Sequence, residues 1–452
     1  MNAFFWSRRK PSKELVLKVD ALLTRLFPDE NFEEALEPKS SENRESGEAV
    51  VAPVVDRGKK SRARVDSADA NDHDVEETHP VSAGPDEEVG ESGDEASAAG
   101  KSIPEELELQ WSKIRAIFQA WDEEQVERER KMNRMAELLL RYRVLEKTLL
   151  PKVLSVMTFE TRKYVGHVFR ALTVHGFQGF IEYIADHPEI MRWLVDGYKN
   201  NNTALICGSM LRDCLEHEIL TVIFLKDMHY EFEALFKVTK TNANFDISAD
   251  AFRNINKVLM SHKTATLGCL SESSDRIFEL INSLLQSDNY VTKREGLQLL
   301  GELLLDPVNF SVMQKYVASR NNLKLIMLLL RETSQALRME AYNVFKIFVA
   351  NPNKSAEVEQ LLVRNKEKLL AFVIDFGKNE PSREFHQEKS LVVYSLQRMT
   401  ERAKAPESQA KTTTATPPSS SSSTSSSATS PASPTPTIQL CKNVSEVCAQ
   451  QD

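Results

Sequence analysis

His217–Glu218 opens the way a zinc-protease helix would, since two imidazoles one helical turn apart can hold a metal while an intervening glutamate activates water. Ile219, Leu220 and Thr221 follow, and no histidine stands one turn on, so that metal site is absent. Cys207 and Cys214 lie seven residues apart on one expected helix, sharing a face as two thiolate ligands would. With no further thiol at ligand spacing they read as buried structural cysteines, which pack as small hydrophobes. A Gly-rich phosphate loop, a Gly-x-Ser-x-Gly elbow and a kinase catalytic string are all missing. No EF-hand pattern of alternating acids, glycine and terminal glutamate occurs either. Cys448 is followed by four residues where prenylation needs three. The expectation is a non-enzyme with no metal and no cofactor.

The elements that could position a site are unevenly spread over the 452 residues. A formal net charge of −9 supplies no basic field for a phosphate backbone, which argues against a nucleic-acid partner. The five cysteines form neither a disulfide framework nor a zinc quartet, as expected of a reducing compartment. Phe4–Phe5–Trp6 precede Arg8–Arg9–Lys10, the reverse of a secretory signal, and no apolar run reaches the roughly 18 residues of a membrane span. A soluble, cytoplasmic chain without membrane insertion is expected.

Composition divides that chain. Residues 1–27 carry Leu15, Val19, Leu22, Leu23 and Leu26 at helical spacing, an N-terminal amphipathic helix. Residues 28–104 are acidic and poor in apolar periodicity, a disordered insertion by composition. Within it Lys59–Arg64 reads as a solvated charge run, with a nuclear import signal or a kinase-recognised site as the other readings. Residues 105–403 hold most of the apolar side chains, and residues 404–452 form a Ser/Thr/Pro-rich tail.

The central segment repeats. FDISADAFRNINKVLM (245–260), YVTKREGLQLLGELLLD (290–306) and QALRMEAYNVFKIFVAN (335–351) align with Ala251, Gly296 and Ala341 in register, 45 residues apart. Asp306–Pro307 and Asn351–Pro352 punctuate helix ends at the same interval. The turns Ser287–Asp288–Asn289 and Glu332–Thr333–Ser334 supply N-caps. A two-helix unit of this length predicts an all-α fold, an α-α superhelix of armadillo/HEAT-like repeats built to bind proteins. On the helix from Tyr290, the residues Tyr290, Arg294 and Gln298 share one face and Leu297, Leu300 and Leu304 another, so the polar face is open to a partner.

NTALICGSMLRDCLEHE (202–218), FDISADAF (245–252), SDNYVTKREGLQLLGELLLD (287–306), NLKLIMLLLR (322–331) and FKIFVANPNK (345–354) together resemble the calcium-binding protein 39 family of kinase-activating scaffolds. The opening, from Phe4–Phe5 to Val16, is similar to that family's first residues. The resemblance implies a horseshoe whose concave face holds a sterile-20-type kinase or pseudokinase adaptor, with a third kinase activated allosterically. It also implies a hydrophobic pocket for a tail motif of tryptophan, glutamate and phenylalanine, and a monomer before complex formation. Tyr290 and Arg294 match concave-face positions; Phe310 and Met327 match pocket positions, and Arg364 keeps the charge of a lysine beside the pocket. From pattern alone Met327, among Leu323, Ile326 and Leu330, reads as core. Gln298 and Pro307 stand where the family usually has basic residues, so two positive charges are lost from the binding side. An armadillo-type adaptor without kinase activation is the competing expectation.

Overall fold

The structure, a computed structural model, describes residues 10–28, 31–36, 102–119, 124–174, 177 and 179–402, and no strand occurs among them. The chain opens with α1 (Lys10–Leu26) and the single turn α2 (Phe32–Ala35). It resumes with α3 (Ile103–Phe118), α4 (Gln125–Arg141), α5 (Val144–Leu149), α6 (Pro151–Val156) and α7 (Phe159–Val174). Helices then come in threes. The first set is α8 (Phe180–Asp186), α9 (Glu189–Asp196) and α10 (Asn201–Cys214). The second is α11 (Glu218–Asp227), α12 (His229–Thr241) and α13 (Phe245–Met260). The third is α14 (Lys263–Glu272), α15 (Ser274–Leu285) and α16 (Tyr290–Leu305). The fourth is α17 (Phe310–Ala318), α18 (Arg320–Leu329) and α19 (Gln335–Ala350), and the last α20 (Ala356–Arg364), α21 (Lys366–Asp375) and α22 (Arg383–Arg402).

Three helices per unit, where periodicity predicts two, is the main difference from the sequence expectation. The extra helix is short and hard to see: α14 reads KTATLGCLSE and buries only Thr266 and Leu270, so it carries no apolar stripe. Its partners are clearer. The final helices of successive units begin at Asn201, Phe245, Tyr290, Gln335 and Arg383, and each packs on the next. The same row continues backward through α7 and α3, with a wider interval between them, which is why the register fades toward the N-terminus.

The predicted caps form. Asn289 Oδ1 accepts from Val291 N at 2.9 Å and Thr292 N at 3.2 Å, and Ser334 Oγ from Leu337 N at 3.4 Å. Asn244 repeats the device at α13, and each such cap stabilises its helix by about 1 kcal/mol. The register of small residues is also structural. Ala251 and Ala341 are fully buried, and a Cβ on Gly296 would stand 3.1 Å from Leu284 Cβ, so α15 and α16 touch almost backbone to backbone there.

Helix α1 joins the array across the intervening segment. Val16, Val19 and Leu23 are fully buried against α3 and α4, while Lys147 Nζ bonds Asp20 Oδ1 at 2.8 Å. Helix α2 falls inside the stretch whose composition reads as disordered; Phe32 and Leu36 nevertheless join the core, and Arg143 Nη2 donates to Leu36 O at 3.3 Å. Two apolar residues suffice where a built surface receives them. The remainder of the acidic insertion, the Lys59–Arg64 hexamer, the Phe4–Trp6 patch and the tail from 404 lie outside the described residues. Among the described residues no helix is long and apolar enough to cross a membrane.

Candidate protein-docking surfaces

The row of long helices is stitched by polar side chains that reach from one helix to the next. Arg170 of α7 pairs with Asp213 of α10 at 3.0 Å, and Arg212 of α10 with Asp250 of α13 at 2.6 Å. Farther on, Gln298 of α16 donates to Glu340 of α19 at 3.0 Å and Lys346 of α19 bonds Glu388 of α22 at 2.7 Å. Around buried Asp250 the bonds close into a network: Tyr198 Oη donates to its carboxylate at 2.6 Å, and Asn254 Nδ2 donates to both Tyr198 Oη and Gly208 O. Satisfied polar networks of this kind specify one packing arrangement. Burial drives the Asp213 carboxyl above its ordinary range, and the neighbouring Arg170 charge works against that rise.

Exposed groups stand on the same row. Tyr290 is 45% exposed and Arg294 is exposed one turn on, while Leu297, Leu300 and Leu304 are buried, as their spacing predicts. Gln298 shares the face but is half-buried and committed to Glu340. Phe245, 59% exposed, opens α13 as Tyr290 opens α16, so two aromatic rings occupy equivalent first-turn positions. Glu295 follows Arg294 on α16; burial raises its carboxyl, and the charges of Arg253 and Arg294 oppose that shift. The 45-residue register would have pointed to Phe245, had it been applied to the aromatic following each cap as well as to the small core residues.

The second surface is a cleft. Helix α18 packs on α20, and α21 on α20 and α22, leaving between α18 and α21 a cavity of about 610 Å³. Its apolar lining includes Met327 and Leu328 of α18, Leu361 of α20, and Leu369 and Phe372 of α21. Leu328 is 62% exposed, which leaves apolar surface open at the cleft. Lys324, Arg331 and Lys368 stand on the rim, and none forms an ion pair within 4 Å among the described residues. Behind Phe372 the ring of Phe376 stacks at 5.2 Å and in turn meets Tyr342 of α19, so the cleft floor is braced by aromatic packing.

Of the residues expected to build a pocket, Met327 lines this cleft. Phe310 opens α17 with 40% exposure, and Arg364 ends α20, exposed; both stand outside the cleft lining. Pro307 begins the 3₁₀ turn Pro307–Asn309 and is exposed, its neighbour Asp306 bonding Lys263 at 2.5 Å. Pattern reading missed Lys324, Arg331 and Lys368, because cations at these spacings on separate helices look like ordinary solvated charges until the helices are folded together.

Cys207 and Cys214 are buried in α10, and burial pushes the Cys207 thiol up to about 12 against the weak pull of Arg162. Gly197 is required beside it, since a Cβ there would overlap Cys207 Sγ. Among the described residues no three His, Cys, Asp or Glu side chains gather as metal ligands would.

Comparison with known proteins adds the relationship. Residues 85–400 match the family model described as Mo25-like. The chain is 38% identical over 255 residues to the Mo25-like protein of Schizosaccharomyces pombe, covering 56% of this chain and 77% of that one. It is 40% identical over 247 residues to human calcium-binding protein 39-like, covering 54% and 72%. A longer match, 32% over 347 residues, reaches the conidiophore development protein hymA of Emericella nidulans and covers 70% of this chain and 89% of that one.

Proposed function

The chain belongs to the Mo25-like family, and from that premise we propose that it is a non-enzymatic scaffold that binds a sterile-20-type kinase or pseudokinase and shifts it toward its active conformer. The carrying observation is the α18–α21 cleft: an apolar floor including Met327, with three cations on its rim that are unpaired among the described residues. A cavity of this size takes a few side chains of a peptide rather than a whole domain. Unpaired cations beside an apolar floor select an acidic residue next to aromatic ones, the chemistry of a tryptophan-glutamate-phenylalanine tail. Burying one aromatic ring there removes roughly 150–250 Å² from water, worth about 4–6 kcal/mol before ordering costs.

The long-helix row would take the folded kinase domain. Phe245, Tyr290 and Arg294 offer exposed aromatic and cationic contacts on a rigid wall, the residue types that dominate interface energies. Engaging both surfaces at once would raise the effective concentration of the second contact and hold the kinase in one orientation. Activation then follows if the wall fits the active conformer better than the inactive one; a differential affinity of 1–3 kcal/mol gives about a 5–150-fold shift.

The test is to mix the purified chain with a sterile-20-type kinase domain carrying its adaptor tail and to follow phosphate transfer. Activity should rise about tenfold or more, and Arg294→Ala should blunt the rise. No change in activity on mixing, with binding intact, would favour the alternative of an adaptor that retains the fold and serves other partners. One observation speaks for that alternative: Gln298 presents no cation and spends its amide on Glu340.

A further inference from the structure

The α18–α21 cleft is not a unique construction, because every unit sets its middle helix beside the middle helix of the next. Three successive junctions, from α12 to α21, can be compared directly. Between α15 and α18 polar side chains bridge the junction: Asn282 Nδ2 donates to Asn322 Oδ1 at 3.0 Å, Asn322 Nδ2 to Tyr316 O at 3.0 Å, and Tyr316 Oη to Asn282 Oδ1 at 3.0 Å. Between α12 and α15 a second groove stays open, with a volume of about 430 Å³. Its lining includes Tyr230, Ala234 and Phe236 of α12 and Leu280 of α15. Tyr230 is 57% exposed, although its ring would be covered if the groove were mere packing.

Charge is disposed there as in the cleft. Glu233 is the groove's acid, and Arg276 engages it with two bonds, at 2.6 and 2.7 Å, pinning α15 to α12. That pairing leaves Lys237 and Lys240, three residues apart and both exposed, without an ion pair within 4 Å among the described residues. A groove with an apolar wall, an exposed aromatic ring and two unpaired ammonium groups complements one kind of occupant: a short acidic peptide segment carrying an aromatic side chain. Lysine ammonium groups attract carboxylates without dictating bidentate geometry, so acidic density matters more than exact spacing.

We propose that the α12–α15 groove is a second peptide-docking site of this protein, taking an acidic segment of a partner protein around one aromatic anchor. Two open grooves on either side of a junction bridged by hydrogen bonds would let the array hold two such segments at once, which increases retention of a partner that carries both.

The experiment uses the full chain and a fluorescein-labelled eight-residue peptide in which glutamates flank a single tryptophan, followed by anisotropy at low and moderate salt. A variant carrying Met327→Ala and Lys368→Glu removes the α18–α21 cleft. In that background the peptide should still bind, and adding Lys237→Glu with Lys240→Glu should weaken binding by about tenfold or more. Tyr230→Ala, a change at an exposed ring, should weaken it by a smaller factor of roughly five. All three are exposed positions, so circular dichroism and melting temperature should stay unchanged. Loss of all binding in the cleft variant overturns this site while leaving the cleft itself standing. A residual affinity indifferent to Lys237 and Lys240, or equal binding by a peptide with alanine in place of tryptophan, overturns it as well. If instead the cleft changes have no effect and the lysine reversals abolish all binding, the groove stands and the reading of the cleft fails.

Discussion

The long-helix row and the α18–α21 cleft use the same residue types for opposite ends. Along the row, Arg212, Lys346 and Gln298 each find a partner on the neighbouring helix, at 2.6, 2.7 and 3.0 Å. On the cleft rim, Lys324, Arg331 and Lys368 find none among the described residues. A charge already paired across a helix junction has given up its attraction for a ligand, whereas an unpaired one beside apolar surface keeps it. The difference separates groups that hold the array together from groups available to a partner, and composition alone does not distinguish them.

Breaking the row should cost the most. A Cβ on Gly208 would fall against both Asp250 Oδ2 and Tyr198 Oη, and neither can retreat because Arg212 and Asn254 hold them. Gly208→Leu should therefore destabilise by about 3 kcal/mol or more, read as a clear fall in melting temperature, with peptide binding at the cleft reduced only in proportion to unfolding. Changing the cleft should do the reverse. Lys368→Glu should weaken an acidic aromatic peptide by about tenfold while the melting temperature holds, because no ion pair is broken.

Within the row, exposed and paired positions should also separate. Tyr290→Ala or Arg294→Ala should lower affinity for a kinase domain by roughly tenfold without altering peptide binding, checked by titrating each partner separately. Gln298→Lys sharpens the contrast further. The new ammonium would lie beside Glu340 and pair with it, so the stability change should stay within about 0.5 kcal/mol, measured by chemical denaturation.

Much of the row was legible in the sequence. Ala251, Gly296 and Ala341 kept one interval because close helix approach demands small residues at one depth, and Asn289 and Ser334 announced their helices because orphan N–H groups need acceptors. Tyr290 and Arg294 could be placed on an open face from spacing alone. The cleft was not legible in this way. Met327 among leucines follows the pattern of core, and its position at an open edge depends on how α21 sits against α20 and α22, a tertiary fact. Helix α14 escaped for a local reason, since Thr266 and Leu270 are too few to mark a stripe. Thiol chemistry offers a small check on burial: a thiol reagent should label Cys269, which is half-buried, well before Cys207 or Cys214, as read by peptide mass spectrometry.

The most direct measurement is calorimetric titration of a peptide ending in tryptophan-glutamate-phenylalanine into the full chain and into its Met327→Ala variant, with melting temperatures taken in parallel. Saturable binding by the unaltered chain and an affinity about tenfold lower in Met327→Ala, with at most a small fall in melting temperature, is the predicted result. Equal affinity in both proteins would contradict the assignment of the cleft as a peptide-docking site.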